Sequence, residues 1–258
     1  MNAEASSISY RSDPVVFFSA DHSLVPNGIT PIVAADEIDL LAYSLPLPGG
    51  LVSDRIALLP GEERERAERY QSARARSAFL AGRIILRELI ARYLDIRVEQ
   101  VRLRIGAQGK PTLRGAHPLG FNLAHTEGLI LLGFSSGLAL GVDVEKVRPV
   151  DGIARFLHGD IPRVGRSADL DSQEGILRQW TDRESVVKAL GTGISLGWER
   201  VNLVERNPLE FDASGLEVPC HVRRLTPVAG YVASVCALSR DFRIRQTWIS
   251  STTLQNGK

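Results

Sequence analysis

The sequence predicts a mixed α+β fold made of two similar halves, each a small sheet packed with one long helix. Three observations predict it. An amphipathic stretch from Pro60 to Leu94 has helical period. A second runs from about residue 174 to 190. Segments with strand-like alternation precede and follow each of them. Direct residue matching between the halves reveals no internal repeat.

The chain has 258 residues, 44% hydrophobic and 24% charged, which suits one domain or two small ones with a sizeable core. A net charge of +1 gives no global field to recruit nucleic acid or a membrane surface. No apolar run approaches the roughly 18 residues of a membrane span. The N-terminus lacks the basic start and apolar run of a signal peptide, so a cytoplasmic protein is expected. Cys220 and Cys236 have no metal-binding spacing and are expected as reduced, buried thiols.

Residues 1–35 are rich in Ser, Asp, Pro and Asn and read as a mobile N-terminal extension, in which Val15–Phe18 are an alternative edge strand. Residues 38–45 are strand-like, and 46–50 (PLPGG) break the chain. The helix of 60–94 follows, with acids Glu62 and Glu63 at its positive end. Its buried stripe is Phe79, Gly82, Leu86, Leu89 and Tyr93. Eight arginines lie along it, at 64, 66, 69, 74, 76, 83, 87 and 92. A solvated face of Glu–Arg pairs explains any one of them, and phosphate contact explains a few.

Residues 98–106 alternate as a strand, and Gly109-Lys110-Pro111 makes a stiff turn beside a lysine. Residues 120–135 read as a hairpin about Glu127-Gly128. A strand over 139–147 puts Asp143 and Glu145 on one face, because side chains two apart on a strand point the same way. Two like charges there favour a bound cation or a solvated face. Residues 148–173 read as a loop with a short helix near Gly152–Leu157. On the helix of 174–190, Ile176, Trp180, Val187 and Leu190 form the core stripe and Gly191 ends it. Glu184 and Lys188 lie one turn apart on it, a spacing that also serves a plain helix-stabilising pair. Strands at 198–205, 221–227, 230–238 and 242–249 complete the chain before a polar tail.

Four motifs in order are more specific than any one. They are Gly109-Lys110-Pro111, Phe121-Asn122 with His125, Gly141-Val142-Asp143-Val144-Glu145, and Trp180 with Glu184, Lys188-Ala189 and Gly191. This order resembles the 4′-phosphopantetheinyl transferases of the larger, single-chain type, over about residues 58–238. The basic stretch ahead of Leu80 to Arg83 belongs to the likeness.

The resemblance implies a pseudo-dimeric monomer, with an N-terminal half at 36–137, a C-terminal half with the metal site at 138–250 and a tail at 251–258. It implies transfer of the phosphopantetheine arm of coenzyme A to a serine of an apo carrier protein of fatty acid, polyketide or nonribosomal peptide synthesis. The carrier is expected to be an acidic helical bundle, with no nucleic acid or membrane partner. Mg²⁺, or Mn²⁺ in its place, is expected on Asp143, Glu145 and Glu184, since hard cations take oxygen ligands. Glu184 and Lys188 are the implied catalytic residues, Glu184 as base for the incoming serine. Coenzyme A is implied to lie against Arg66, Gly109, Lys110, Pro111, Asn122, Leu123, Ala124, His125, Asp143, Glu184 and Lys188, with Arg66 on the 3′-phosphate.

Two positions depart from the pattern. Ala124 stands where serine is common, leaving backbone donors or Thr126 to replace its hydroxyl. Arg183 stands where lysine is common. Two other readings use the same acids. One is a non-catalytic module that binds coenzyme A or a carrier. The other is a Mg²⁺-dependent pyrophosphatase with water as nucleophile.

Overall fold

The computed structural model describes residues 24–25, 34–47, 49–106, 108–150, 172–193, 201–225 and 228–249. The expected edge strand at Val15–Phe18, the short helix near Gly152–Leu157 and the tail lie outside these residues.

The architecture follows from alternation on four strands. β1 (Glu37–Ser44) and β5 (Leu129–Ser136) turn Leu41, Tyr43, Ile130, Leu132 and Phe134 to one side. Helix α3 (Ala73–Leu94) covers that side with Phe79, Ile85, Leu86 and Leu89. The alternate residues Ile38, Leu40, Leu129 and Leu131 meet Val142, Val144, Ala233 and Val235. These come from β6 (Leu140–Lys146) and β10 (Tyr231–Ala237). The far face of β6 and β10 packs against a second helix, α4 (Gln173–Leu190). The layers thus run helix, sheet, sheet, helix, the expected α+β arrangement of paired halves.

The first sheet has the order β11-β1-β5-β4, where β4 is Leu119–Thr126 and β11 is Arg243–Ile249. β4 and β5 are the expected hairpin. The second sheet has the order β6-β10-β9-β8-β7, where β7 is Asn202–Asn207, β8 is Glu210–Ser214 and β9 is Cys220–Leu225. β11 runs parallel to β1 and so completes the sheet of the N-terminal half. A cut of the chain near 137 therefore does not separate the two sheets. Arg245 on β11 is paired with the buried Asp39 of β1, which also accepts from Tyr93 Oη.

Several expected elements differ. The helix expected over 60–94 is two, α2 (Gly61–Glu68) and α3, after a short α1 (Gly49–Ser53). Ser72 takes an extended backbone, and its hydroxyl accepts the Ala75 N–H, which starts a new helix there. The strand expected over 98–106 is a 3₁₀ turn at Val98–Gln100, where the Gln100 side chain accepts from the Arg97 N–H. Only β2 (Leu103–Ile105) remains, paired with β3 (Pro111–Leu113). β8 was not expected; its signal is the alternation of buried Phe211 and Ala213. Within the N-terminal segment expected to be mobile, Leu24 and Val25 are buried. The Leu24 carbonyl accepts from Tyr43 Oη at 2.9 Å, and its N–H donates to Glu88.

Candidate active site

Strand β6 carries the acids and helix α4 lies directly upon it. A Cβ added at Gly141 would stand 2.1 Å from the Ser185 carbonyl oxygen and 2.4 Å from the Ala189 nitrogen. Only a residue without a side chain permits that approach. It brings Glu184 and Lys188 over the face from which Asp143 and Glu145 project.

Asp143 is buried, and its Oδ1 accepts from Lys188 Nζ at 2.6 Å. Burial pushes its pKa up to about 7 against the pull of Lys188, and Glu184 and Glu145 push it the same way. Burial also raises Glu184, again opposed by Lys188. Glu145 Oε2 accepts from Thr126 Oγ1 and from Arg148, each at 3.0 Å. Thr126 thus holds a metal-ligand candidate.

Among the described residues, no three His, Cys, Asp or Glu side chains are already gathered as a metal-holding group. The donor set nevertheless fits a hard cation. Asp143 Oδ2 and Glu184 Oε1 are buried oxygens without a hydrogen-bond partner, and they belong to carboxylates that repel each other. An oxygen-seeking cation between them would relieve both conditions.

Two cavities open beside this face. The smaller, about 260 Å³, is lined by Arg66, Gly109, Pro111, Leu123, Ala124, His125 and Lys188. Seven expected residues from four chain segments therefore meet there. Arg83 and Phe79 also line it. The guanidinium carbons of Arg66 and Arg83 lie 5.5 Å and 5.3 Å from the Phe79 ring centroid, so one ring supports two cations. Arg83 was not singled out. Its signal is its place four residues after Phe79 and next to Gly82, on the half-buried edge of the stripe.

The larger cavity, about 610 Å³, is lined by Arg74, Thr126, Glu145 and Arg148 among others. It shares Ala78 and His125 with the smaller one. Enclosure and the nearby Lys188 ammonium hold the His125 pKa below the ordinary histidine range, which favours the neutral imidazole.

Two expected contacts have other work. The buried Asn122 is not among the residues lining the smaller cavity; its Oδ1 accepts the Val142 N–H at 2.9 Å and ties β4 to β6. Lys110 Nζ donates to the carbonyls of Leu140 and Lys188, so it fastens the Gly109-Lys110-Pro111 turn to β6 and to the C-terminal end of α4. Arg183, the other departure from pattern, is buried and donates to the Gln179 carbonyl one turn back.

Two adjoining family models match the chain. Residues 52–135 match "4′-phosphopantetheinyl transferase, N-terminal", and residues 139–236 match "4′-phosphopantetheinyl transferase superfamily". The chain is 32% identical over 182 residues to 4′-phosphopantetheinyl transferase HetI of a Nostoc species, covering 67% of this chain and 77% of that protein. The chain belongs to the 4′-phosphopantetheinyl transferase superfamily. It is 24% identical over 200 residues to 4′-phosphopantetheinyl transferase Sfp of Bacillus subtilis, covering 76% of this chain and 89% of that one. It is 30% identical over 174 residues to the human L-aminoadipate-semialdehyde dehydrogenase-phosphopantetheinyl transferase, covering 61% and 53%. The phosphopantetheinyl transferase family segments divide the site: Arg66 and His125 come from the first, and Asp143, Glu184 and Lys188 from the second. Among the described residues, no helix of this transferase is long and apolar enough to cross a membrane.

Proposed function

We propose that this chain moves the 4′-phosphopantetheine arm of coenzyme A onto a serine of an apo carrier protein and releases 3′,5′-ADP. The observation that carries this reading is the meeting of Arg66, His125 and Lys188 in one cavity, with Lys188 paired to Asp143. With Arg83, Arg66 and Lys188 give that cavity three cations, which suits a ligand with several phosphates.

In this reading Arg66 takes the 3′-phosphate, with Arg83 as a second cation beside it. Gly109, Pro111, Leu123 and Ala124 wall the nucleotide. Lys188 and His125 stand by the diphosphate. The larger cavity beyond His125 takes the pantetheine arm and admits the serine. Asp143, Glu145 and Glu184 would hold Mg²⁺ or Mn²⁺, which when bound supplies positive charge to the diphosphate oxygens and the leaving phosphate. The serine oxygen bonds to the phosphorus next to the pantetheine arm, and the bond from that phosphorus to the oxygen of 3′,5′-ADP breaks. Glu184 takes the serine proton, directly or through water, from its place on α4 over the acid-bearing face of β6.

The two halves, 36–137 and 138–250 with β11 returned to the first sheet, would make one complete site in a monomer. We place the enzyme in the cytoplasm, where the free thiols of Cys220 and Cys236 stay reduced. The carrier would belong to fatty acid, polyketide or nonribosomal peptide synthesis. Incubation with coenzyme A, Mg²⁺ and a panel of apo carriers tests the reading by intact mass. A gain of the arm's mass on a carrier supports it. Unchanged carriers with tight coenzyme A binding would make the chain a binding module, and 3′,5′-ADP released without any carrier would make it a pyrophosphatase.

A further inference from the structure

Helix α4 is fastened to the second sheet by a buried charged contact that takes no part in the chemistry described above. Asp182 has no solvent exposure. Its Oδ2 accepts from Arg224 Nε at 2.9 Å and Nη2 at 2.7 Å. Its Oδ1 accepts from Ser234 Oγ at 2.6 Å, and Ser234 Oγ also meets Thr181 Oγ1 at 3.0 Å. The Arg224 guanidinium lies over the Phe211 ring, 4.1 Å from its centroid.

The partners of Asp182 stand in a particular place. Ser234 on β10 is directly opposite Asp143 on one side and Arg224 on the other. Asp143, Ser234 and Arg224 therefore form one row across the sheet, with their side chains on the face that α4 covers. The helix is held to this row at three points, the first being Thr181 against Ser234. Asp182 grips Arg224 and Ser234, and Lys188, six residues on, grips Asp143.

A buried ion pair is weak ground for stability, because the desolvation of two charges offsets their attraction. What three directed donors at one carboxylate do supply is register. Sliding or turning α4 breaks all three at once, whereas the apolar contacts of Val186 and Ala189 tolerate a small slip. Glu184 lies two residues beyond Asp182 on the same helix.

We propose that Asp182 is a positioning residue that acts through Arg224 and Ser234 to set the register of α4, and so the placement of Glu184 and Lys188 against Asp143. The inference rests on the site reading above. It adds a residue that touches neither substrate nor cation.

The test is Asp182→Asn, which keeps the shape and an oxygen for Ser234 but loses the charge that holds Arg224. Turnover is expected to fall, and the half-saturating Mg²⁺ concentration to rise, each by about tenfold or more. Binding of adenosine 3′-monophosphate without Mg²⁺ is expected to be unchanged, since α2 and α3 carry Arg66 and Arg83 and this ligand has no 5′-phosphate for Lys188. A purely structural role would lower the melting temperature and the active fraction while leaving the Mg²⁺ demand unmoved, and that result overturns the inference. If this variant does not accumulate as folded protein, Ser234→Ala loosens the same clamp by one hydrogen bond and meets the same criterion. Glu184→Gln separates this inference from the reading beneath it. Normal turnover in Glu184→Gln removes the site reading and the inference together. Lost turnover there, with a wild-type Mg²⁺ demand in the clamp variants, removes only the inference.

Discussion

Lys188 Nζ stands 2.6 Å from Asp143 Oδ1, joining α4 to β6 across 45 residues of chain. The pair uses one oxygen of Asp143. The other, Oδ2, is buried with no hydrogen-bond partner. The same lysine lines the smaller cavity. One side chain therefore touches both the acid cluster and the space proposed for phosphates.

Replacing Asp143 by alanine is expected to reduce transfer by about a hundredfold or more at saturating Mg²⁺. The fold should persist, because removal of a buried carboxylate also removes its desolvation. Turnover and circular dichroism measured together check this. Near-normal turnover would take Asp143 out of the metal site.

Arg66→Ala is expected to weaken coenzyme A by about 1.5–3 kcal/mol, roughly ten- to hundredfold, as for the loss of a charge-assisted hydrogen bond. Dephospho-coenzyme A should lose much less, having no 3′-phosphate. Titration calorimetry with both ligands compares them. Equal losses would separate Arg66 from that phosphate.

At Gly141 a methyl group would collide with the backbone of α4, 2.1 Å from the Ser185 oxygen. Gly141→Ala is expected to lower stability by about 1–3 kcal/mol, as for overpacking, and to lift the helix from the acids. The urea midpoint and turnover should fall together. An unchanged midpoint would mean that the helix yields freely.

The pH dependence has a definite sign. The pKa of Asp143 is raised from 3.8 to about 7, so the folded protein binds its proton more tightly than the unfolded chain. The contribution of Asp143 to stability is therefore greatest below its unfolded pKa and declines as pH rises through about 7. Metal-free Asp143→Asn is expected to escape that part of the decline. Denaturation of both proteins at pH 5 and pH 8 without Mg²⁺ checks it, and identical pH responses would refute it.

The strands and helices beside the site were legible because their signals are local. Glu127-Gly128 marks the hairpin of β4 and β5, and the two-residue spacing of Asp143 and Glu145 puts both on one face. The break between α2 and α3 was harder to read. Arg69–Ser72 carries no proline or glycine, and the cap at Ser72 is a single hydroxyl contact. Asn122 and Lys110 illustrate a second difficulty. Their motifs suggest ligand contact, yet their polar ends bond to Val142, Leu140 and Lys188. Which partner a polar side chain takes depends on chains that arrive from elsewhere in the fold.

By itself the sequence determined the two-helix α+β plan and the family, and it singled out the acids and lysine proposed for the site. Those rest on period, spacing and motif order, which are properties of neighbouring residues. Only the tertiary structure decided that β11 closes the first sheet, that Arg83 joins Arg66 on Phe79, and that Asp182 fastens α4 to the row containing Asp143. Each of these joins distant segments. Burial and directed hydrogen bonding select such partners only once the layers have packed.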